Sequence, residues 1–138
     1  MTAKIRVNCQ KTNLKKIRAF LKECLAQEPF SDSDVNLLLV AVDEVCANLM
    51  IHGHDCNPKS FLEVSCYRHA HSIVFDILDE GPFFNISTYT PPSIEKLLQE
   101  RRNGGMGLIL VKRIMDGIET DSQAGKNIYR MWKRLPED

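Results

Sequence analysis

The chain carries no surplus of charge: lysine plus arginine and aspartate plus glutamate both number 18. Non-specific binding to nucleic acid or to an acidic membrane needs a basic excess, so neither is an expected partner. No apolar run approaches the length of a membrane span. The first ten residues alternate and carry charge, without the apolar segment of a secretory leader. The five cysteines (Cys9, Cys24, Cys46, Cys56 and Cys66) are odd in number, scattered, and form no CxxC pair. A reduced, cytoplasmic setting is the simplest expectation. Internal repeats, low-complexity tracts and linkers are also missing. What is there is ordinary for one globular domain over residues 1–138: 43% hydrophobic and 26% charged residues, enough to build a core without staples.

The apolar pattern predicts the order β-α-α-β-β-loop-α-β-β. Ile5, Val7 and Cys9 alternate along a first strand over Lys4 to Cys9. Asn13 stands where a helix cap belongs, followed at helical spacing by Leu14, Ile17, Phe20, Leu21, Cys24 and Leu25. Ser31 or Ser33 opens a second helix, whose apolar positions Val35, Leu38, Leu39, Val42, Cys46, Leu49 and Met50 recur at three and four residues. Gly53 and Pro58 end it. Phe61 to Tyr67 and Ile73 to Leu78 form a hairpin turning at His69 to Ser72. The second of these strands is nearly continuous in apolar residues, broken by Asp76, and reads as central. A broken stretch follows, with Gly81, Pro82, Pro91 and Pro92 and a short helix over Ser93 to Glu100. Leu108 to Met115 is helical, Gly117 punctuates, and Ile118 to Ser122 and Asn127 to Leu135 make a last hairpin around Ala124-Gly125-Lys126. Helices grouped beside strands that come in hairpins predict an α+β fold, a two-layer α/β sandwich with a mixed or antiparallel sheet.

Three stretches carry chemistry. Glu44, Asn48 and His52 are spaced by four, so one helical face bears all three. Asn48 offers a neutral oxygen suited to magnesium that also holds phosphate. Glu44 can take a proton from an attacking hydroxyl. A polar stripe on a solvated helix would look the same. Asp79 stands where the central strand stops, and an acceptor there can take a hydrogen bond from an exocyclic amine such as adenine's, with Gly81 letting the backbone pass a flat ring. An Asp-Glu-Gly-Pro turn is the plainer alternative. Gly104, Gly105 and Gly107, with Met106 and Leu108, open a helix whose first N–H groups favour anions, or else form a hinge. The stretch between Gly81 and Gly104 then becomes a lid over a nucleotide. Arg101 and Arg102 at its end reach terminal phosphates or remain solvated. The glycine run lacks the preceding strand of a dinucleotide site and the Lys-Ser/Thr ending of a P-loop.

These residues resemble the GHKL ATPases, whose nucleotide site is the Bergerat fold, over nearly the whole chain. Glu44-x-x-x-Asn48 looks like the N box, Asp79-x-Gly81 like the first glycine box, and Gly104-Gly105-x-Gly107-Leu108 like the second. Within that superfamily the chain is most similar to the small anti-sigma-factor serine/threonine kinases of bacterial partner switching. Ala41 to Asn48, His52-Gly53, Met115-Asp116 and Gly125-Lys126-Asn127 follow their pattern. The resemblance implies Mg2+ on Asn48, catalysis by Glu44, and the adenine amine on Asp79 beside Gly81. It also implies ATP phosphates on Gly105 and Gly107, with His52, Arg102, Gly104, Met106 and Leu108 lining the same site. It implies phosphorylation of a small antagonist (anti-anti-sigma-like) protein, a sigma factor or other sequestered target, and a homodimer through the sheet edge and first strand. The chain departs from the pattern at Phe83, where many members carry a further glycine, and Phe84 follows.

Two other classes compete. A non-catalytic ATP-binding module that sequesters a partner is favoured by Phe83 and by the independence of function from fold. A metal protein is suggested by His52-x-His54-x-Cys56 and Cys66-x-x-His69-x-His71, although neither has the paired CxxC spacing of a strong zinc signal.

Overall fold

A computed structural model describes residues 2–50, 59–80 and 107–136. Among these residues five strands form one sheet in the order β1-β2-β3-β5-β4. They are β1 (Ala3–Asn8), β2 (Phe61–His69), β3 (Ser72–Asp79), β4 (Gly117–Gln123) and β5 (Lys126–Arg134). Each of the four pairings is antiparallel. The helices are α1 (Leu14–Leu25), α2 (Asp32–Asn48) and α3 (Gly107–Ile114). The predicted α+β order is therefore present. The predicted end of α2 at Gly53 and Pro58, the lid and the short helix over Ser93 to Glu100 lie outside the described residues.

The helices cover one face of the sheet. Ile17, Leu21 and Leu25 of α1 and Leu38, Ala41, Val42, Val45 and Cys46 of α2 are buried there. Val111 of α3 joins them against Val64, Cys66, Phe75, Ile77, Tyr129 and Met131 of the strands. Full burial of one such large side chain stabilises by about 1.5–3 kcal/mol, so this shared layer holds the architecture together. The strand members are alternate residues, as period two demands.

Asp76 interrupts the apolar run of β3 because it points the other way. On the face away from the described helices its carboxylate accepts from Arg130 Nε (2.8 Å), Arg130 Nη2 (3.1 Å) and the Tyr67 hydroxyl (2.9 Å). Residues of β2 and β5 thus close around a carboxylate whose side chain is only 12% exposed in the central strand. A forked pair of this kind is among the stronger hydrogen-bonded arrangements.

Asn13 does not act as a cap. A single 3₁₀ turn at Lys11–Asn13 leads into α1, and Asn13 itself has helical angles. Its side-chain amide instead donates to the Asn8 carbonyl at 2.8 Å, tying the helix start to the end of β1. The last hairpin turns on Ala124 and Gly125, both left-handed at φ 53° and 79°. Two positive φ values in a two-residue loop are what the right-handed twist of the strands requires.

Gly117 does more than punctuate. It lies opposite Trp132 in the β4–β5 register, and a Cβ placed on it would fall 1.9 Å from the indole ring. The ring therefore rests on bare backbone, a device that restores packing to a strand glycine. Gly117→Ala is expected to displace Trp132, redden the emission of this sole tryptophan and cost about 1–3 kcal/mol. Fluorescence and denaturant titration check this; an unchanged emission maximum with unchanged stability would mean the ring rests elsewhere.

Candidate functional site

Helix α2 is set from its first turn. The Ser31 hydroxyl accepts from the Asp34 N–H at 3.1 Å, and Asp32 and Asp34 place negative charge at the positive end of the helix. With the start fixed, the 3.6-residue period decides which residues face the sheet seventeen residues later. Val45 and Cys46 go inward with 0% exposure, while Glu44 and Asn48 stay half-buried on the opposing stripe. The Leu49 N–H is shared between the Val45 (i−4) and Cys46 (i−3) carbonyls, and the helix passes into a π turn at Leu49 and Met50. π turns of this kind recur at functional sites. The Cys9 thiol donates to the Met50 carbonyl at 3.7 Å, and the Cys9 N–H donates to the Ser60 carbonyl at 2.8 Å. One residue at the end of β1 thus holds the chain both before and after residues 51–58.

Asn48 has a defined orientation. Its side-chain nitrogen donates to the Glu44 carbonyl at 2.8 Å. A carbonyl only accepts, so the amide nitrogen must face it and the amide oxygen must face away. Glu44, one turn earlier, has its carboxyl held above the ordinary range, first by burial and second by the neighbouring charge of Asp43. Asp43 is itself raised by burial, although Arg18 of α1 opposes this from 2.9 Å. A carboxylate moved toward neutrality is better matched to proton transfer than an ordinary one.

Asp79 ends β3 on the helix-covered face, in phase with Phe75 and Ile77, and is 1% exposed. The Asn127 side-chain amide donates to its Oδ1 at 2.7 Å. Asn127 is 2% exposed, and its own amide oxygen accepts from the Ser122 hydroxyl at 2.7 Å. Neither partner belongs to the sequence-predicted site. A signal existed: Asn127 shares the inward phase of Tyr129 and Met131, where a polar side chain needs a buried partner.

Gly107 opens α3, with Leu108 as its second residue. The helix begins and ends one residue earlier than the predicted Leu108 to Met115, and it packs against α2. Glu44, Asn48, Asp79 and the start of α3 therefore belong to elements on the covered side of the sheet. His52, Gly81, Arg101, Arg102, Gly104, Gly105 and Met106 lie outside the described residues, as do Phe83, His54 and Cys56.

The second metal-like cluster is not brought together. Cys66 turns inward, whereas His69 and His71 are exposed beside the hairpin turn. Burial pushes the Cys66 thiol up to about 12, helped by its neighbour Cys24, which is an inert setting for a thiol. Among the described residues no group of three or more His, Cys, Asp and Glu is placed to hold a metal ion. No helix among them is long and apolar enough to cross a membrane.

The family profile of the histidine kinase-like ATPase domain matches residues 7–133, and the chain belongs to that family. Among curated relatives, the serine-protein kinase RsbW of Halalkalibacterium halodurans is 26% identical over 113 residues, covering 79% of this chain and 68% of the relative. RsbW of Oceanobacillus iheyensis is 27% identical over 113 residues, covering 79% and 71%. RsbW of Bacillus subtilis is 24% identical over 121 residues, covering 81% and 72%. The crystal structure of the RsbU and RsbW domains of Rv1364c from Mycobacterium tuberculosis superposes with a TM-score of 0.66 at 17% identity. All of this chain is covered there, and it spans 33% of that longer protein. The fold is thus that of an RsbW-like domain, and membership in an ATPase family implies ATP binding.

The raised Glu44 carboxyl has a thermodynamic sign. The folded chain binds that proton more tightly than the unfolded chain does. Stability from this group is complete below the ordinary carboxylate range and is lost as pH rises through the raised value. Glu44→Gln, uncharged throughout, is expected to raise the melting temperature at about pH 7.5 and to lose that advantage near pH 4. Calorimetric melting at both pH values is the check, and the same difference at both would contradict it.

Proposed function

We propose that this chain is an ATP-dependent protein serine/threonine kinase of the anti-sigma-factor type. The observation that carries the reading is on α2: the Asn48 amide is pinned to the Glu44 carbonyl, and the Glu44 carboxyl is shifted toward neutrality beside it. A proton acceptor and a neutral oxygen ligand are thereby kept in one register. The names of the relatives, all serine-protein kinases, support the same reaction class.

In this reading Asp79 accepts the adenine amine beside Gly81. Gly104, Gly105, Met106, Gly107 and Leu108 line the phosphates, with His52 and Arg102 as polar contacts. Asn48 suits Mg2+, which keeps most of its waters and needs few protein ligands when phosphate supplies the rest. When bound, that ion offsets phosphate charge in the path of the incoming oxygen. Glu44 takes the proton of a serine or threonine hydroxyl on a small antagonist protein. The hydroxyl oxygen bonds to the γ-phosphorus, the bond to the bridging oxygen breaks, and ADP leaves. Unphosphorylated antagonist would then displace a sequestered sigma factor or similar target. The working unit in this reading is one domain over residues 1–138, paired as a homodimer.

Phe83, at a glycine position of the first box, favours a second reading: a module that binds ATP and sequesters its partner without transferring phosphate. Labelled ATP separates the two. With magnesium and a candidate antagonist, the kinase labels the antagonist, whereas the module binds ATP and labels nothing. Glu44→Ala is expected to keep ATP affinity and to lower transfer by roughly 10²–10⁴. Undiminished transfer in that variant would remove Glu44 from the mechanism. Gly105→Val should abolish nucleotide binding measured by titration calorimetry, because a branched side chain would fill the phosphate path; normal affinity would refute the glycine cradle.

A further inference from the structure

We propose that Cys24 and Cys66 form a thiol-oxidation site, in which a hydroperoxide entering the cavity between α1 and the strands joins the two sulfurs in a reversible disulfide. The two residues stand on different elements, Cys24 in the last turn of α1 and Cys66 within β2. Their thiols are hydrogen-bonded to each other. Residues of α1 and β2 approach within 8 Å from Cα to Cα. A disulfide spans roughly 4.4–6.8 Å, so closing it takes a small shift. The end of a helix yields more readily than a strand paired on both sides, which puts that shift on α1.

Access to the pair is one-sided. Among the described cysteines Cys9, Cys46 and Cys66 are buried, and Cys24 is partly exposed. Cys24 and Cys66 line the same solvent-open cavity of about 600 Å³, with Phe20, Gln27 and Ile73. Ala3 stands opposite Cys66 in the β1–β2 register, and its methyl group leaves that space unfilled. Burial raises both thiols, Cys66 up to about 12. The hydrogen bond between them draws Cys24 back down and adds to the rise at Cys66. Cys66 is therefore the donor and Cys24 the nucleophile. Thiolate is scarce in such a setting, so the pair answers lasting exposure to oxidant rather than a brief pulse. Cys66, inert toward solvent, meets an electrophile when Cys24 presents one.

The Cys24 thiolate attacks a peroxide oxygen, the O–O bond breaks, and water or an alcohol leaves with Cys24 as a sulfenic acid. The Cys66 sulfur then attacks the sulfenic sulfur. The S–S bond forms, the S–O bond breaks, and the departing hydroxide takes the Cys66 proton as water. Two thiols lose two electrons and two protons to one peroxide. The bridge encloses α2, with Glu44 and Asn48, in a covalent loop, and a dithiol reductant reopens it.

The test exposes the folded, intact chain to excess hydrogen peroxide for hours, blocks free thiols with iodoacetamide and maps the peptides by mass spectrometry without reduction. Wild type should lose two alkylatable thiols, yield a linked pair of peptides containing Cys24 and Cys66, and regain both thiols in dithiothreitol. Cys66→Ser should stop with Cys24 as a sulfenic acid that dimedone traps. Cys24→Ser should leave Cys66 reduced through the same exposure. Cys24 is partly exposed, so this variant carries the test even where the buried Cys66→Ser does not fold. Three results would overturn the proposal: Cys24 advancing to sulfinic acid in wild type while Cys66 stays a free thiol, a bridge from Cys24 to Cys9, Cys46 or Cys56 instead, or loss of the Cys66 thiol at the wild-type rate in Cys24→Ser.

Discussion

The register between β3 and β5 is the constraint on which the rest of the molecule depends. It sets Phe75 against Met131 and Ile77 against Tyr129 in the core, and Asp79 against Asn127 at the site. On the other face it sets Asp76 against Arg130. A slip of one residue would turn every side chain of a strand to the opposite face. Asp76 and its arginine would enter the helix layer, and Phe75 would meet water. Hydrophobic burial and the charged pair therefore select the same alignment. Asp79 and Asn127 acquire their alignment from forces that have nothing to do with a ligand.

Helix α2 shows the same economy with a cost attached. Its inward residues Val42, Val45 and Cys46 are fully buried, and that packing fixes the rotation of the helix. Glu44 and Asn48 are then carried to the opposing stripe without any contact of their own being needed to place them. Glu44 is nonetheless drawn far enough from water, and close enough to Asp43, to be ionised only against resistance. Natural proteins commonly give up stability at sites where a reactive group must be kept poised. The turn after Asn48 is anchored by Cys9, so the last part of the helix is held from the residue that follows β1 as well.

Sequence periodicity carried the elements a long way. The two long helices, both hairpins and the α+β layering follow from spacing alone, because burial on one face imposes a period of 3.6 or 2. The shared helical face of Glu44 and Asn48 is legible for the same reason. What was hidden depends on partners distant along the chain. Asn13 has the right type for a cap, but the 3₁₀ turn before it makes the Asn8 carbonyl its nearer partner. Gly117 reads as a break until Trp132 is seen lying over it. Asn127 stands 48 residues from Asp79, and only the strand order β3-β5 brings them together. No local pattern contains that order.

The antiparallel sheet also bears on how a nucleotide site can be built here at all. In parallel α/β folds the phosphate cradle follows a strand directly, so motif and geometry coincide over a few residues. Here every strand pairing among the described residues is antiparallel, and Glu44, Asp79 and Gly107 come from three separate elements. A site of that kind needs the whole domain to be assembled before any part of it can bind.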